Sequence, residues 1–334
     1  MLVESKNVIE SPVISVLVTA YNHERYISKC LDSILSQKIN VPFELIIAED
    51  CGKDNTREIC IQYQKKYPEK IRLLLQEQNR GIPGNYCDVL SQTRGRYIAQ
   101  LAGDDFWCDE NKLQMQLEAL ESHQECDLCY TNCYTCNDDD TISYEPLLKD
   151  ANISFEYHLL NSGYIAPCSW FFRRQILEYI ELQDWFTDES LAVALDILHH
   201  SKLYFINKPT YVYRVHPNSA AAQRDPSKMW KYLHGIFLMQ VYYAEKYNMP
   251  IDFITKLKIQ EYYNHCSAAL EAGEENFIDE AIGFCKDNGI IMKWFVGSCR
   301  EYIKYKKQYE QIRSSKAYRL GKALLKPFKW LNRI

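Results

Sequence analysis

One stretch decides the fold class of this chain: Gly95-Arg96-Tyr97-Ile98-Ala99-Gln100-Leu101-Ala102-Gly103-Asp104-Asp105-Phe106-Trp107. Its apolar run from Tyr97 to Ala99 predicts a buried strand, and the glycine that follows predicts a turn. Asp104 and Asp105 therefore stand side by side where a strand ends. In α/β sheets, ligands bind at that edge. Adjacent carboxylates repel each other unless a cation lies between them, so the pair predicts a divalent-metal site, with an Asp-rich surface turn as the alternative.

Three apolar runs precede this stretch, at 13–19, 43–48 and 71–75, and each predicts a buried parallel strand. Helical segments separate them, and Asn22 is the predicted N-cap of the first helix. This alternation predicts an α/β half of the nucleotide-binding type. Neither a G-x-G-x-x-G fingerprint nor a phosphate-binding G-x4-G-K-[ST] loop is present, so the sequence supports neither a dinucleotide oxidoreductase nor a P-loop enzyme. Nucleotide phosphates would need a metal at the Asp104–Asp105 pair instead.

Composition is that of an ordinary globular protein, with 47% apolar and 25% charged residues among 334. No apolar window is long enough to span a bilayer and no signal peptide is recognisable, so a cytoplasmic location is expected. The net charge is −5, yet residues 301–334 contain ten Lys and Arg against two Glu. An acidic body argues against nucleic acid as a partner, and the basic tail favours an anionic surface.

Thirteen cysteines are scattered through predicted strands and helices, which indicates reduced, buried thiols. The densest group is Cys126-x2-Cys129-x3-Cys133-x2-Cys136. Zinc binding is one interpretation, but three residues between the two pairs are too few for a zinc ribbon to fold back. A strand here would point Cys129 and Cys133 to one face and the outer two to the other. We therefore favour small core residues over a zinc site.

Three segments occur in the order and spacing of one known family. They are Ser-Val-Leu-Val-Thr-Ala-Tyr-Asn at 15–22, Phe-Glu-Leu-Ile-Ile-Ala-Glu-Asp at 43–50 and the opening stretch at 95–107. Together they resemble glycosyltransferase family 2, whose members are inverting sugar transferases. The resemblance covers residues 11–218. It implies an α/β fold of the GT-A type, a Rossmann-like mixed sheet typical of nucleotide-diphospho-sugar transferases, with a C-terminal helical extension.

The resemblance also implies a division of the chain. Residues 1–218 would be the catalytic domain, with a nucleotide-sugar half at 11–107 and an acceptor half at 108–218. A helical accessory region would follow at 219–314, where apolar residues recur at helical spacing. The tail at 315–334 is predicted to be a basic amphipathic helix. It would lie on an anionic membrane, at the inner face of the cell membrane, or pack on its own domain.

The donor site implied by the resemblance lies at the ends of the first two strands. Tyr21 would lie against the base of the nucleotide, and Asp50 would accept a hydrogen bond from a base N–H. The alternatives are a half-buried aromatic and a turn residue. The complete set of implied donor contacts is Thr19, Ala20, Tyr21, Asn22, Glu24, Asp50, Arg80 and Asp104.

Asp105 matches the family's metal ligand, with Mg²⁺ or Mn²⁺ as the ion. Asp104 would touch the ribose or donor sugar, and Asp104 and His216 are further candidate ligands. The chain departs from the family at Ala102, where many members carry an acid. This departure keeps open a second interpretation, a non-catalytic protein that binds nucleotide-sugars on the same scaffold.

The acceptor half supplies the candidate base. Asp188 matches the family position that takes the proton from the acceptor hydroxyl, with Glu189 as second candidate and an N-cap as the alternative role for Asp188. Trp170 would stack on an acceptor sugar or pack in the core. Arg214 and His216 are expected at the diphosphate or the metal, with a structural hydrogen bond as the alternative for the histidine.

A turn of three aspartates at 137–140 is predicted to be a solvated loop. The resemblance implies a metal-dependent, inverting glycosyltransferase in cell-surface polysaccharide biosynthesis. Its donor would be a nucleotide-sugar, a UDP-sugar, and its acceptor a saccharide or a lipid-linked saccharide.

Overall fold

The structure is a computed structural model that describes residues 1–5, 8–147, 154–161, 167–183, 185–216 and 225–287. The chain divides into two compact units. The first comprises Met1–Gln223 and Gly235–Met249, and the second comprises Arg224–His234 and Pro250–Ile334. Part of the predicted accessory region therefore groups with the first unit, which differs from a boundary at residue 218. The predicted basic helix at 315–334 lies outside the described residues.

In the described residues, the first unit is built around a mixed sheet of ten strands. The strands are β1 (Leu2–Val3), β2 (Ile14–Ala20), β3 (Phe43–Glu49), β4 (Ile71–Leu75), β5 (Tyr97–Ala102), β6 (Phe106–Trp107), β7 (Cys126–Cys136), β8 (Ile142–Ser143), β9 (Phe171–Arg173) and β10 (Lys202–Arg214). Their order is β1-β4-β3-β2-β5-β9-β7-β10-β6, and β8 pairs with β7. The strands predicted around 13–19, 43–48 and 71–75 are confirmed.

Strand direction brings the candidate residues to one edge of the sheet. β2 pairs in parallel with both β3 and β5, and β3 pairs in parallel with β4. β9 is antiparallel to both β5 and β7, and β7 is parallel to β10. The ends of β2, β5 and β10 therefore lie at the same edge. Chain order reverses at β2, where an open α/β sheet forms its ligand crevice.

Nine helices accompany the strands in the described ranges. They are α1 (Ile27–Leu35), α2 (Thr56–Lys66), α3 (Gly81–Ser91), α4 (Lys112–Ser122), α5 (Phe155–Asn161), α6 (Glu189–His200), α7 (Pro226–Lys246), α8 (Ile251–Ala272) and α9 (Glu275–Asp287). The predicted N-cap at Asn22 is wrong, because α1 begins only at Ile27 and Asn22 has a left-handed φ of 55°. Asn22 tolerates that conformation because its short polar side chain can bond locally.

The cysteines of β7 are core residues. Cys126, Cys129, Cys133 and Cys136 are all buried, and the ten cysteines whose side chains the structure describes are free thiols. Cys126 shares the core of Cys129 and Cys133, so its predicted face is wrong. The cause is an irregularity at the start of β7, where the partners of Cys126 and Leu128 are consecutive in β10. An extra residue in one strand reverses the alternation of faces.

The second unit has its own small core, built by residues from α7, α8 and α9. Its buried members are Trp230, Tyr262, Ala269, Phe277, Ile278 and Ala281. The helical extension predicted after residue 219 is confirmed up to Asp287. Within the described ranges, no helix is both long and apolar enough to cross a membrane.

At the opposite edge of the sheet, the buried carboxylate of Glu44 joins three strands. It accepts hydrogen bonds from Ser15 Oγ at 2.6 Å and from Arg72 NH1 at 3.1 Å. Arg94, just before β5, donates from Nε at 3.0 Å and from NH2 at 2.6 Å. Glu44 is fully buried and Arg72 nearly so. A buried charge that loses its partner is strongly destabilising.

We therefore expect Glu44→Gln to lower the free energy of unfolding by about 3 kcal/mol, measured by chemical denaturation. The matched control is Glu110→Gln, because Glu110 pairs with Lys38 at the surface. The control should change stability by less than about 1 kcal/mol. Equal losses in the two variants would contradict a structural role for the buried carboxylate.

Candidate active site

Asp105 lies in a buried turn at the end of β5. It is 2% exposed, and its Oδ1 accepts a hydrogen bond from the backbone N–H of Arg214 at 2.8 Å. Its Oδ2 is also buried and has no hydrogen-bond partner among the described residues. Burial and the charge of Asp104 raise the pKa of Asp105 well above its usual range. A cation bound beside Asp105 would stabilise its ionised form.

Asp104 lies between two histidines. Its Oδ2 is 3.1 Å from Nε2 of His216 and 3.8 Å from Nε2 of His23. Burial alone would raise the pKa of Asp104, but the hydrogen bond to His216 and the proximity of His23 outweigh burial, so the pKa lies below its usual value. One acid of the pair is therefore held ionised, and the other favours its proton.

His23 is a site residue that the sequence analysis missed. Burial lowers the pKa of His23, although nearby Asp104 acts in the opposite direction. Its Nδ1 is buried without a partner in the described structure. The ring packs on Gly103, where a Cβ would lie 2.8 Å from His23 Nδ1 and 3.1 Å from Thr19 O. This close approach explains the glycine before the two acids. The only signal in the sequence was a histidine directly after a strand end.

Arg214 holds the main chain of the acidic turn from β10. Its Nε donates to the carbonyl of Asp104 at 2.8 Å, and its NH1 donates to Asn137 O at 3.1 Å. Its NH2 pairs with Asp140 Oδ1 at 2.5 Å. The side chain is only 2% exposed. The described contacts thus make Arg214 a support of the Asp104 loop rather than an outward-facing diphosphate ligand.

The prediction of a solvated loop at 137–140 agrees with the structure, in which Asn137, Asp139 and Asp140 are exposed, although two of the three acids also bind other elements. Asp140 pairs with Lys29 at 3.1 Å as well as with Arg214. Asp138 accepts hydrogen bonds from Arg25 and from the hydroxyl of Tyr26. The contacts with Arg25, Tyr26 and Lys29 join the β7–β8 turn to α1 and to the two residues before it. Each of these three contacts spans more than 100 positions of sequence, which no local pattern reveals.

Two predicted donor residues join neighbouring loops. Oδ1 of Asn22 accepts a hydrogen bond from the backbone of Lys53 at 2.7 Å. Oε2 of Glu24 accepts bonds from Asn55 N at 3.0 Å and from its Nδ2 at 2.8 Å. The loops after β2 and β3 thus fix each other. Tyr21 stands beside them with 40% of its surface exposed.

Asp50, at the end of β3, binds the start of α3. Its Oδ1 accepts from Arg80 N at 2.7 Å, and its Oδ2 accepts from Gly81 N at 3.0 Å. Burial raises the pKa of Asp50 in spite of these two bonds. The guanidinium of Arg80 pairs with Asp88 at 3.0 Å. Thr19 and Ala20 are the last two residues of β2.

On the acceptor side, the candidate residues are Trp170 and the two acids at the start of α6, Asp188 and Glu189. Trp170 is 1% exposed and packs in a core with Leu128 and Phe172, which favours core packing among its two predicted roles. Asp188 caps α6, because its Oδ1 accepts from Leu191 N at 2.9 Å and from a neighbouring serine hydroxyl. Burial raises the pKa of Glu189 to about 7.

Residues 15–180 match the model of a family described as glycosyl transferase family 2. The chain belongs to glycosyltransferase family 2. An uncharacterized protein of Mycobacterium tuberculosis is 32% identical over 65% of this chain and 63% of its own length. The chain thus spans less than two thirds of the length of that relative. The putative teichuronic acid biosynthesis glycosyltransferase TuaG of Bacillus subtilis is 28% identical over 64% of this chain and 83% of its own length.

Among solved structures, residues 1–349 of S. aureus TarS in complex with UDP-GlcNAc align with a TM-score of 0.61. The alignment covers 89% of this chain and 91% of TarS 1–349, at 16% sequence identity. This likeness shows the fold. The family 2 chain has the predicted GT-A architecture, a mixed sheet with helices and a C-terminal helical extension.

The acidic pair of this family 2 member fits a hard divalent cation. No group of three or more His, Cys, Asp or Glu in the described part of the chain is arranged to hold a metal. Mg²⁺-type sites, however, commonly use one or two carboxylates and complete their coordination with substrate phosphates and water. The buried, unpartnered Oδ2 of Asp105 supplies such an oxygen. Asp104 and His216 are the neighbouring candidates.

Glu189 makes stability depend on pH. In the folded chain the carboxyl of Glu189 has a pKa of about 7, compared with an ordinary value of 4.5. The folded state therefore binds more protons between these values, and the stability from Glu189 is present below pH 4.5 and lost as the pH rises through about 7. We expect Glu189→Gln to be more stable than the unaltered chain at about pH 8, by about 1–3 kcal/mol.

Chemical denaturation across about pH 5 to 8 checks this expectation. The stability difference should shrink toward the acidic end of that range. Glu110→Gln, at an exposed position, is the control and should leave the pH dependence unchanged. A constant offset for Glu189→Gln at every pH would contradict the effect of burial.

Proposed function

We propose that this chain is an inverting, metal-dependent glycosyltransferase. It would move a sugar from a UDP-sugar to a saccharide or lipid-linked saccharide during synthesis of a cell-surface polysaccharide. The observation that carries the proposal is the Asp104–Asp105 pair at the end of β5, in which Asp105 is buried and one of its oxygens is unpartnered in the described structure. The similar TarS was solved with UDP-GlcNAc, and TuaG is named for teichuronic acid biosynthesis, which favours the UDP-sugar and the polysaccharide.

The donor would lie across the ends of β2, β3 and β5. Tyr21, which is exposed at the end of β2, would cover the base, and Asp50 would accept a hydrogen bond with the second lone pair of a carboxylate oxygen. Carboxylate oxygens can accept more than one bond each. Asn22 and Glu24 support this pocket by fixing the loop after β3. Thr19, Ala20 and Arg80 complete the proposed donor set.

Asp105 would hold Mg²⁺ or Mn²⁺, with Asp104 and His216 as further ligands. The bound ion would supply charge neutralisation for the diphosphate leaving group. His23 and Arg214 keep the acidic turn in place, since they contact the side chain and the carbonyl of Asp104, respectively. A prearranged turn needs little reorganisation when the donor arrives.

Asp188 would be the general base, with Glu189 as the second candidate. Asp188 accepts the proton of the acceptor hydroxyl as that oxygen attacks the anomeric carbon. The new glycosidic bond forms on the face opposite the breaking bond to the diphosphate, so the configuration inverts. The carboxylate lies at the N-terminus of α6, where backbone N–H groups favour negative charge.

Two variants test the assignments separately. Asp188→Asn should lower the transfer rate at least about 100-fold while UDP binding with Mn²⁺ persists, because only proton acceptance is lost. Asp105→Asn should weaken the joint binding of UDP and Mn²⁺ in calorimetric titration. Asp139→Asn is the matched control in the exposed β7–β8 turn and should leave both unchanged.

Retention of donor hydrolysis and sugar transfer by both variants would contradict the mechanism. Binding of UDP and Mn²⁺ by the unaltered chain without turnover of any acceptor would favour the second interpretation, the non-catalytic nucleotide-sugar-binding protein. A thermal-shift screen of nucleotide-sugars identifies the donor, because a ligand that binds the folded state raises its apparent stability.

We also propose that the basic segment 315–334 binds the inner face of the cell membrane. The proposal rests on its six Lys and Arg and on the helical spacing of its apolar residues. The full chain should float with vesicles that contain anionic lipid, and a chain ending at residue 314 should not. Neutral vesicles are the control. Equal soluble fractions of the two chains would contradict membrane binding.

A further inference from the structure

One face of α7 runs along α6 inside the first unit. Gly235, Met239 and Tyr243 in the helix and Tyr247 just after its end follow each other at intervals of four, so they lie toward one side. Met239 and Tyr243 are fully buried. These four residues meet α6 near both of its ends. We call them the α7 stripe.

At its first end, the stripe touches Thr187, which directly precedes Asp188. A Cβ at Gly235 would lie 2.2 Å from Thr187 Cγ2, 2.6 Å from its Oγ1 and 2.9 Å from its Cβ. Real Cβ atoms do not approach other atoms so closely, so any other residue at 235 would force Thr187 to shift. One position along the stripe, Sδ of Met239 accepts a hydrogen bond from Thr187 Oγ1 at 3.6 Å. Thr187 is therefore seated directly on the helix.

At its other end, the stripe holds the buried carboxylate of Asp196, in α6. Tyr243 OH donates to its Oδ2 at 3.0 Å, and Tyr247 OH donates to its Oδ1 at 2.6 Å. Lys246 Nζ adds a charged contact at 2.9 Å. Breaking such a buried pair is costly, so α6 is held firmly along its length. A shift of α7 at Gly235 therefore cannot be absorbed by sliding α6 along it.

We propose that Gly235 is a positioning residue for the proposed base, Asp188. Its missing side chain lets α7 approach Thr187 and so sets where the carboxylate of the next residue meets the acceptor. The inference rests on the proposed function of Asp188. A methyl group at 235 would push Thr187 away, and Asp188 would move with it. Displacement by about 1 Å can lower a rate about 100-fold.

The test compares four variants of the full chain. Gly235→Ala should lower kcat about 100-fold. The affinity for UDP with Mn²⁺ should stay unchanged, because the proposed donor site is formed by the loops that follow β2, β3 and β5. Gly235→Ala combined with Thr187→Gly removes the clash and should recover most of the lost kcat relative to Thr187→Gly alone. Gly283→Ala, in α9, is the matched control, since a Cβ there meets nothing within 4 Å. It should leave kcat unchanged.

Two results would overturn the inference. The first is an unchanged kcat in Gly235→Ala. The second is a decrease of kcat that is accompanied by lower UDP affinity and a lower melting temperature and that Thr187→Gly does not reverse. That result would indicate general misfolding. A recoverable loss at constant UDP affinity supports positioning.

Asp188→Asn, measured beside these variants, separates this inference from the proposed function. If it abolishes transfer while Gly235→Ala does not affect kcat, the base assignment stands and the positioning role fails. If it retains transfer, the assignment of Asp188 is wrong, and so is an inference about placing that carboxylate. An unaltered chain that transfers no sugar contradicts both.

Discussion

Two adjacent carboxylates at the end of one strand, Asp105 buried and Asp104 half-buried, are the constraint on which the site depends. Burial penalises the charged form of each acid, and each charge opposes the other. The fold answers with contacts from distant strands. β2 brings His23 to Asp104, and β10 brings His216 to Asp104 and its backbone N–H to Asp105. The strand order places these ends together, so the acidic turn exists only when the sheet is complete.

The same constraint explains the polar contacts around the turn. Arg214 is almost fully buried, and a guanidinium in such a place needs partners for its donors. It finds them in the Asp104 carbonyl and in Asp140, which in turn ties the β7–β8 turn to Lys29 of α1. These contacts link the Asp104 loop, the β7–β8 turn and α1. The result is a network that is arranged before any ligand binds, which favours binding and catalysis.

Local patterns predicted the parallel strands and the position of Asp104 and Asp105, because side-chain period and turn residues are encoded over a few positions. They could not predict what depends on three-dimensional register. The face of Cys126 follows from an irregularity opposite β10, and the partner of Tyr26 lies 112 positions away. His23 was missed for the same reason. Nothing near it in the sequence indicates that its ring packs on Gly103.

The first unit contains two pairs of adjacent acids, Asp104–Asp105 and Asp188–Glu189, and the two members of each pair have different surroundings. In each pair one carboxylate has specific hydrogen-bond donors, His216 for Asp104 and the start of α6 for Asp188. Of their neighbours, Asp105 is buried and Glu189 is half-buried, and burial raises the pKa of both. Environments that separate the pKa values of adjacent acids assign them different tasks. In the proposed mechanism, the hydrogen-bonded Asp188 would accept the proton of the acceptor hydroxyl, and Asp105 would gain its charge when a cation binds.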